Sequence, residues 1–79
     1  MGRKHRPLTC KEVKSILTAL GFECHRQKGS HEHWKATVKG RLCLVTVDCP
    51  KQPFVPPLLN SMVRQSGYSI EEWYLQLER

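Results

Sequence analysis

The residues whose types and spacing suit chemistry are Arg26, Lys28, Gly29, Ser30 and His31, in the run RQKGSHEHW. A histidine free in water is mostly neutral at pH 7, because its reference pKa is about 6.5. That makes His31 a workable general base. RNA offers a matching proton on its 2′-hydroxyl, and removing it lets the oxygen attack the adjacent phosphorus in line. Such a reaction gathers negative charge on the phosphoryl oxygens. Lys28 and Arg26 are the nearest cations in sequence and suit its stabilisation. A Gly29-Ser30 turn also lets backbone N–H groups approach a phosphate closely. No protein nucleophile, metal or other cofactor is formally needed.

Spacing alone admits a plainer reading, in which His31 is a surface histidine at a strand start. The other candidates are weaker. His31 and His33 share a strand face where a metal can sit between them, but no acid or cysteine accompanies them, so no zinc site is expected. His25 stands beside Cys24 without further partners, and His5 lies in the leader. Cysteine nucleophile chemistry lacks a defined base. Trp34, Trp73 and Tyr74 are able to stack bases, but their amphipathic placement assigns them to the core.

Which elements must position His31? In LTCKEVKSILTALGF, Thr9 and Glu12 fit a capping box, and Val13, Ile16, Leu17 and Leu20 recur at helical spacing. Leu8 suits a staple at the start, and Gly21 suits the left-handed residue that ends such a helix. Three strands follow: Phe22 to Lys28, His31 to Val38, and RLCLVTVD. The Gly-Ser and Lys-Gly turns between them are short, so an antiparallel meander is expected, with Gly40 supplying a positive φ. The two-residue period places His31, His33, Lys35 and Thr37 on one face, and Trp34, Ala36 and Val38 on the other. The apolar set suits the helix-covered side, leaving His31 and His33 facing solvent unless a bulge intervenes.

The segment CPKQPFVPP holds four of the five prolines and breaks strand pairing. Pro57 suits the first turn of a second helix with Leu58, Leu59, Met62 and Val63 on its apolar face, ended by Gly67. Ser69 and Glu72 repeat the capping box before a short last helix, where Ile70, Trp73, Tyr74 and Leu77 form a stripe. The order α-β-β-β-α with one further short helix gives an α+β layer: a three-stranded antiparallel sheet with helices on one face. Residues 1–7 read as a flexible basic leader, and residues 8–79 as one domain.

Bulk properties narrow the function classes. A chain of 79 residues has room for one marginal core and none for a large substrate pocket, so function belongs on an exposed face or turn. The net charge of +6 is uneven. Residues 1–41 carry ten Lys/Arg against three acids, and residues 42–79 three against four. A compact basic half attracts phosphate backbones. Cys10, Cys24, Cys43 and Cys49 show no paired short spacing, so they read as unpaired residues of a reducing cytoplasm. No signal-peptide or membrane-spanning run is present, and no membrane partner is expected.

From about Leu8 to Leu77 the chain resembles the HicA-type (YcfA-like) toxin family. The resemblance rests on the opening helix ending in GF, the RQKGSH turn, the aromatic Trp34 three residues after His31, and QSGYSIEEW in the closing segment. It implies a double-stranded-RNA-binding-like fold and an mRNA interferase, a ribonuclease that cuts messenger RNA without a metal. The family's catalytic histidine, in its Gly-Ser-His motif, falls on His31. Arg26, Lys28, Gly29, Ser30 and Lys35 are then the expected RNA and phosphate contacts. A HicB-type antitoxin is the implied protein partner, with operator DNA bound only through it. Relatives carry a His/Lys-rich segment after the third strand, where this chain has only Lys51. The competing reading is a non-catalytic RNA-binding module of the same fold.

Overall fold

Thr9 and Glu12 start the first helix by a reciprocal exchange. The Glu12 N–H donates to the Thr9 hydroxyl at 3.2 Å, and the Thr9 N–H donates to the Glu12 carboxylate at 3.0 Å. From this cap α1 runs Cys10–Ala19 and buries Val13, Ile16 and Leu17. The computed structural model describes residues 6–78. Residues 1–5 of the expected leader lie outside the described residues. Arg6, its first described member, is tied to the body: its guanidinium pairs with Glu12 at 2.8 Å, and its carbonyl accepts from the Tyr74 hydroxyl.

The Arg6 hydrogen bond, followed by the bond from Thr9, lowers the Glu12 pKa to about 2. A carboxylate depressed in the folded state stabilises above its unfolded pKa and stops doing so as pH falls through the folded value. The melting-temperature advantage of the wild type over Glu12→Gln should therefore hold above about pH 4.5, narrow below it, and vanish near pH 2. An advantage constant across that window would show that Glu12 acts without its charge.

β1 (Glu23–Lys28), β2 (His31–Val38) and β3 (Arg41–Asp48) form one antiparallel sheet in the order β1-β2-β3. The expected first residue, Phe22, stays outside the strand and is buried in the core. Both turns have two residues. At Lys39-Gly40 both φ values are positive, 53° and 77°, the condition for a tight turn whose twist matches its strands. This turn sets the register of β2 on β3 without slip, from Val38 opposite Arg41 to His31 opposite Asp48. β1 is less regular. A bulge between Cys24 and Arg26 leaves His25 without a partner, so Cys24 faces Trp34 while Arg26 faces His33. The extra residue lets Cys24 keep Trp34's side and Arg26 and Lys28 keep that of the histidines.

One sheet face builds the core. Trp34, Val38, Cys43, Val45 and Val47 pack with the buried residues of α1 and with Phe54, Leu59, Met62, Val63 and Trp73. After β3 the chain makes a 3-10 turn, Cys49–Lys51, and Phe54 then pairs its backbone with Leu8. This pairing brings the start of α1 to the end of β3. The Gln52 side chain accepts from the Cys10 N–H at 2.7 Å, and Cys10 and Cys49 form a disulfide with their Cα atoms 5.2 Å apart. The expectation of four unpaired cysteines is thus corrected for these two. Residues 39 apart in sequence meet through tertiary pairing, which short-spacing rules do not detect. In a reducing compartment the same pair stands as two neighbouring thiols.

α2 (Leu58–Ser66) packs against β3 and ends at Gly67, whose φ is 80°. A Cβ there would also stand 3.2 Å from the Cys43 sulfur, so Gly67 serves both the turn and the close approach. Leu58, expected on the apolar face, is instead 38% exposed. α3 (Ile70–Leu75) begins with the second capping box and runs into a 3-10 turn, Gln76–Glu78. Its Trp73 is fully buried, and the indole N–H donates to the Ser66 hydroxyl at 2.9 Å. Ser66 donates in turn to the Val63 carbonyl at 2.6 Å, and its oxygen also accepts from the Tyr68 N–H at 3.1 Å.

Candidate active site

The open sheet face carries His31, His33, Lys35 and Thr37 of β2, in register with Asp48, Thr46, Leu44 and Leu42 of β3. Strand alternation and the two tight turns place them there, since the neighbouring positions are committed to the core. The β1–β2 turn holds Gly29 at φ 61°, the left-handed first position that such hairpins reserve for glycine. Gln27 donates to the Gly29 carbonyl at 3.0 Å and steadies the turn.

His31 leaves this turn with its side chain 54% exposed. Its Nε2 lies 3.4 Å from one carboxylate oxygen of Asp48, whose side chain is 15% exposed. The other oxygen of Asp48 accepts from the Ser30 hydroxyl at 2.8 Å. Asp48 therefore reaches across the hairpin to two consecutive residues of the Gly-Ser-His run. A neutral imidazole that keeps its proton on Nε2, the nitrogen nearer the carboxylate, has its lone pair on Nδ1. His33, one pair further along, lies with its Nδ1 3.3 Å from the Thr46 hydroxyl.

The expected cations meet at this end of the sheet. Lys28 is the cross-strand partner of His31, and Arg26 that of His33. Lys35 projects on the same face. Every residue of β1 is exposed, as is Lys35. None of these three cations forms a salt bridge among the described residues, so their charge faces outward uncompensated. Lys14, by contrast, is held by Glu32 at 3.2 Å.

Asp48 is absent from the expected site residues, and Lys51 figures there only as the one basic residue after the third strand, without a place at the site. Asp48 had a signal: a two-residue turn at Lys39-Gly40 fixes it opposite His31 by register alone. Lys51 had none, because only the path of the chain after β3 brings it to a groove of about 190 Å³ that His31, Thr46 and Asp48 also line. Trp34 and Trp73 are core residues, and the Tyr74 ring is half-buried, so none of the three offers an open face for stacking. Among the described residues no group of three or more His, Cys, Asp or Glu side chains stands where it could hold a metal ion.

A family model described as HicA toxin of bacterial toxin-antitoxin matches residues 10–68. That span contains α1, the whole sheet, α2 and the Ser30–His31–Asp48 constellation. No curated protein and no solved structure gives a significant match.

Proposed function

The chain belongs to the HicA toxin family of bacterial toxin–antitoxin pairs, and from that membership we propose that it is a metal-independent endoribonuclease that cuts messenger RNA. The observation that carries this reading is the exposed His31 at the hairpin end, with Asp48 on one ring nitrogen and uncompensated cations beside it. His31 Nδ1 takes the proton of a ribose 2′-hydroxyl. The freed oxygen attacks the adjacent phosphorus, and the bond from phosphorus to the 5′-oxygen breaks. The leaving oxygen takes a proton from water, and the imidazolium gives its own proton to the hydroxide so formed, which returns His31 to its neutral form. The products are a 2′,3′-cyclic phosphate and a 5′-hydroxyl.

Asp48 lies against one ring nitrogen, so that the accepting nitrogen points outward. Ser30 fixes the carboxylate. Lys28 and Arg26 stabilise the phosphoryl charge, while Lys35 extends the path for the RNA backbone. In-line attack needs a flexible backbone, so single-stranded or weakly paired RNA suits the site better than a duplex.

Membership of the family implies an antitoxin partner. We assign that role to a HicB-type protein. The open face suits such cover, because Leu42 and Leu44 stand 63% and 51% exposed beside the cations. Operator DNA is reached only through this partner. Messenger RNA as substrate places the protein in the cytoplasm, and no helix among the described residues is long and apolar enough to cross a membrane.

The test is regulated expression of the wild type beside His31→Ala, with growth and RNA integrity both recorded. Growth arrest and fragmented RNA are expected from the wild type alone. A folded His31→Ala protein that still fragments RNA would contradict the assignment. RNA binding without fragments, from the wild type, would make it a binding module.

A further inference from the structure

The proposed chemistry uses His31, Asp48 and the β1 cations, and leaves the adjoining groove without a role. We infer that this groove, between the open sheet face and α2, is a subsite for one nucleobase flanking the scissile phosphate, selective for a base that carries a carbonyl rather than an exocyclic amino group at the edge position where uracil and cytosine differ. The inference rests on the reading of the chain as an RNA-cleaving toxin.

Size comes first. Pockets for drug-sized molecules span roughly 300–1,000 Å³. At about 190 Å³ this groove suits a single planar ring rather than a run of nucleotides. Its open apolar surface comes chiefly from Leu58, 38% exposed, over a floor closed by the buried Phe54 and Met62. A base face laid on such a surface leaves water, and its edge then meets the polar rim.

Donors predominate on the α2 side of the rim. Gln65 accepts from the Thr46 N–H at 3.4 Å through its carbonyl oxygen, which turns the amide so that its NH₂ end is the free one. The Ser61 hydroxyl and the Lys51 ammonium also line the groove, and neither has a hydrogen-bond partner among the described residues. Asp48 is the one carboxylate there, and both its oxygens are engaged by Ser30 and His31. The Gln65 NH₂ and the Lys51 ammonium can only donate, and the Ser61 hydroxyl is able to donate beside them, which suits acceptors: the C4 carbonyl of uracil at the base edge, and a phosphate oxygen for Lys51. An exocyclic amino group in place of the carbonyl would set donor against donor. His31 lines the same groove, so a base seated there keeps its own phosphate linkage near the imidazole.

The experiment titrates the full chain with uncleavable 2′-deoxy tetranucleotides that differ only in uracil or cytosine at either central position. Binding is read by affinity and by amide NMR. The uracil form should bind about 10-fold tighter at one position, the scale of one hydrogen-bond mismatch at a buried edge. The Gln65 side-chain amide and Thr46 N–H signals should move. Gln65→Ala should bring the ratio below about 3-fold, and Ser61→Ala, on the exposed side of α2, should lower it independently. Equal binding of the two bases, no binding, or unmoved Gln65 and Thr46 signals would overturn the subsite. Cleavage of matched all-ribose tetranucleotides separates the two claims. Selective binding without cleavage sinks the nuclease alone, and cleavage indifferent to base and to Gln65 sinks the subsite alone.

Discussion

Purified His31→Ala should cleave RNA about 10²–10⁴-fold more slowly than the wild type, the span that a positioned general base contributes. The loss should come without unfolding. The His31 side chain is 54% exposed and its contact is a single 3.4 Å approach to Asp48, so its removal opens no cavity. The Ser30–Asp48 bond at 2.8 Å remains, and the two-residue turn is held by Gly29 and the register of β2 on β1. Circular dichroism and melting temperature should therefore match the wild type within a few degrees, while the cleavage rate collapses. Retained RNA binding is expected as well, because Arg26, Lys28 and Lys35 still present their charge. A rate within threefold of the wild type, in a protein shown to be folded, would remove His31 from the reaction.

The second large effect lies far from the site. Trp73→Ala should cost about 3–5 kcal/mol, the range for emptying a fully buried aromatic position. A domain of 79 residues has on the order of 4–12 kcal/mol to lose. The melting temperature should fall by about 20 °C, or the chain should lose its cooperative transition outright. The reason is specific to this position. Trp73 fills the core from α3, and its indole N–H ends the hydrogen-bond chain through Ser66 to Val63 that joins α3 to α2. Trp73→Phe keeps most of the volume and removes only the indole bond, so it should be clearly milder. The matched family span ends at residue 68, yet the largest fully buried side chain comes after it. A thermal melt of Trp73→Ala close to that of the wild type would show that α3 is an accessory to the fold rather than part of its core.

Much of this architecture is written in local chemistry. Thr9 with Glu12, and Ser69 with Glu72, mark two helix starts because a capping box is settled within four residues. Alternation along HEHWKATV places His31 and Lys35 opposite the core residues Trp34 and Val38, since the period of two leaves no other arrangement. The features that escaped all depend on distance in sequence. The β1 bulge at His25 reconciles a turn at one end of the strand with Trp34 at the other, and neither end alone reveals it. The Cys10–Cys49 pair needs the Leu8–Phe54 backbone pairing to bring it together. Leu58 keeps helical spacing but faces a groove, because α2 packs with Leu59, Met62 and Val63 toward the core. Asp48 is the intermediate case: the register was readable from Lys39-Gly40, although the carboxylate's reach to both Ser30 and His31 was not.

The central claim is that the protein turns the RNA's own 2′-hydroxyl into the nucleophile. Its most direct test is an oligonucleotide with a single ribose in an otherwise deoxyribose strand, incubated with the wild type in excess chelator and analysed by mass spectrometry. The account predicts one cut, immediately 3′ of that ribose, leaving a 2′,3′-cyclic phosphate and a 5′-hydroxyl, and none once the 2′-oxygen is methylated. Cleavage of the methylated strand, 5′-phosphate ends, or a cut that needs added metal would contradict it.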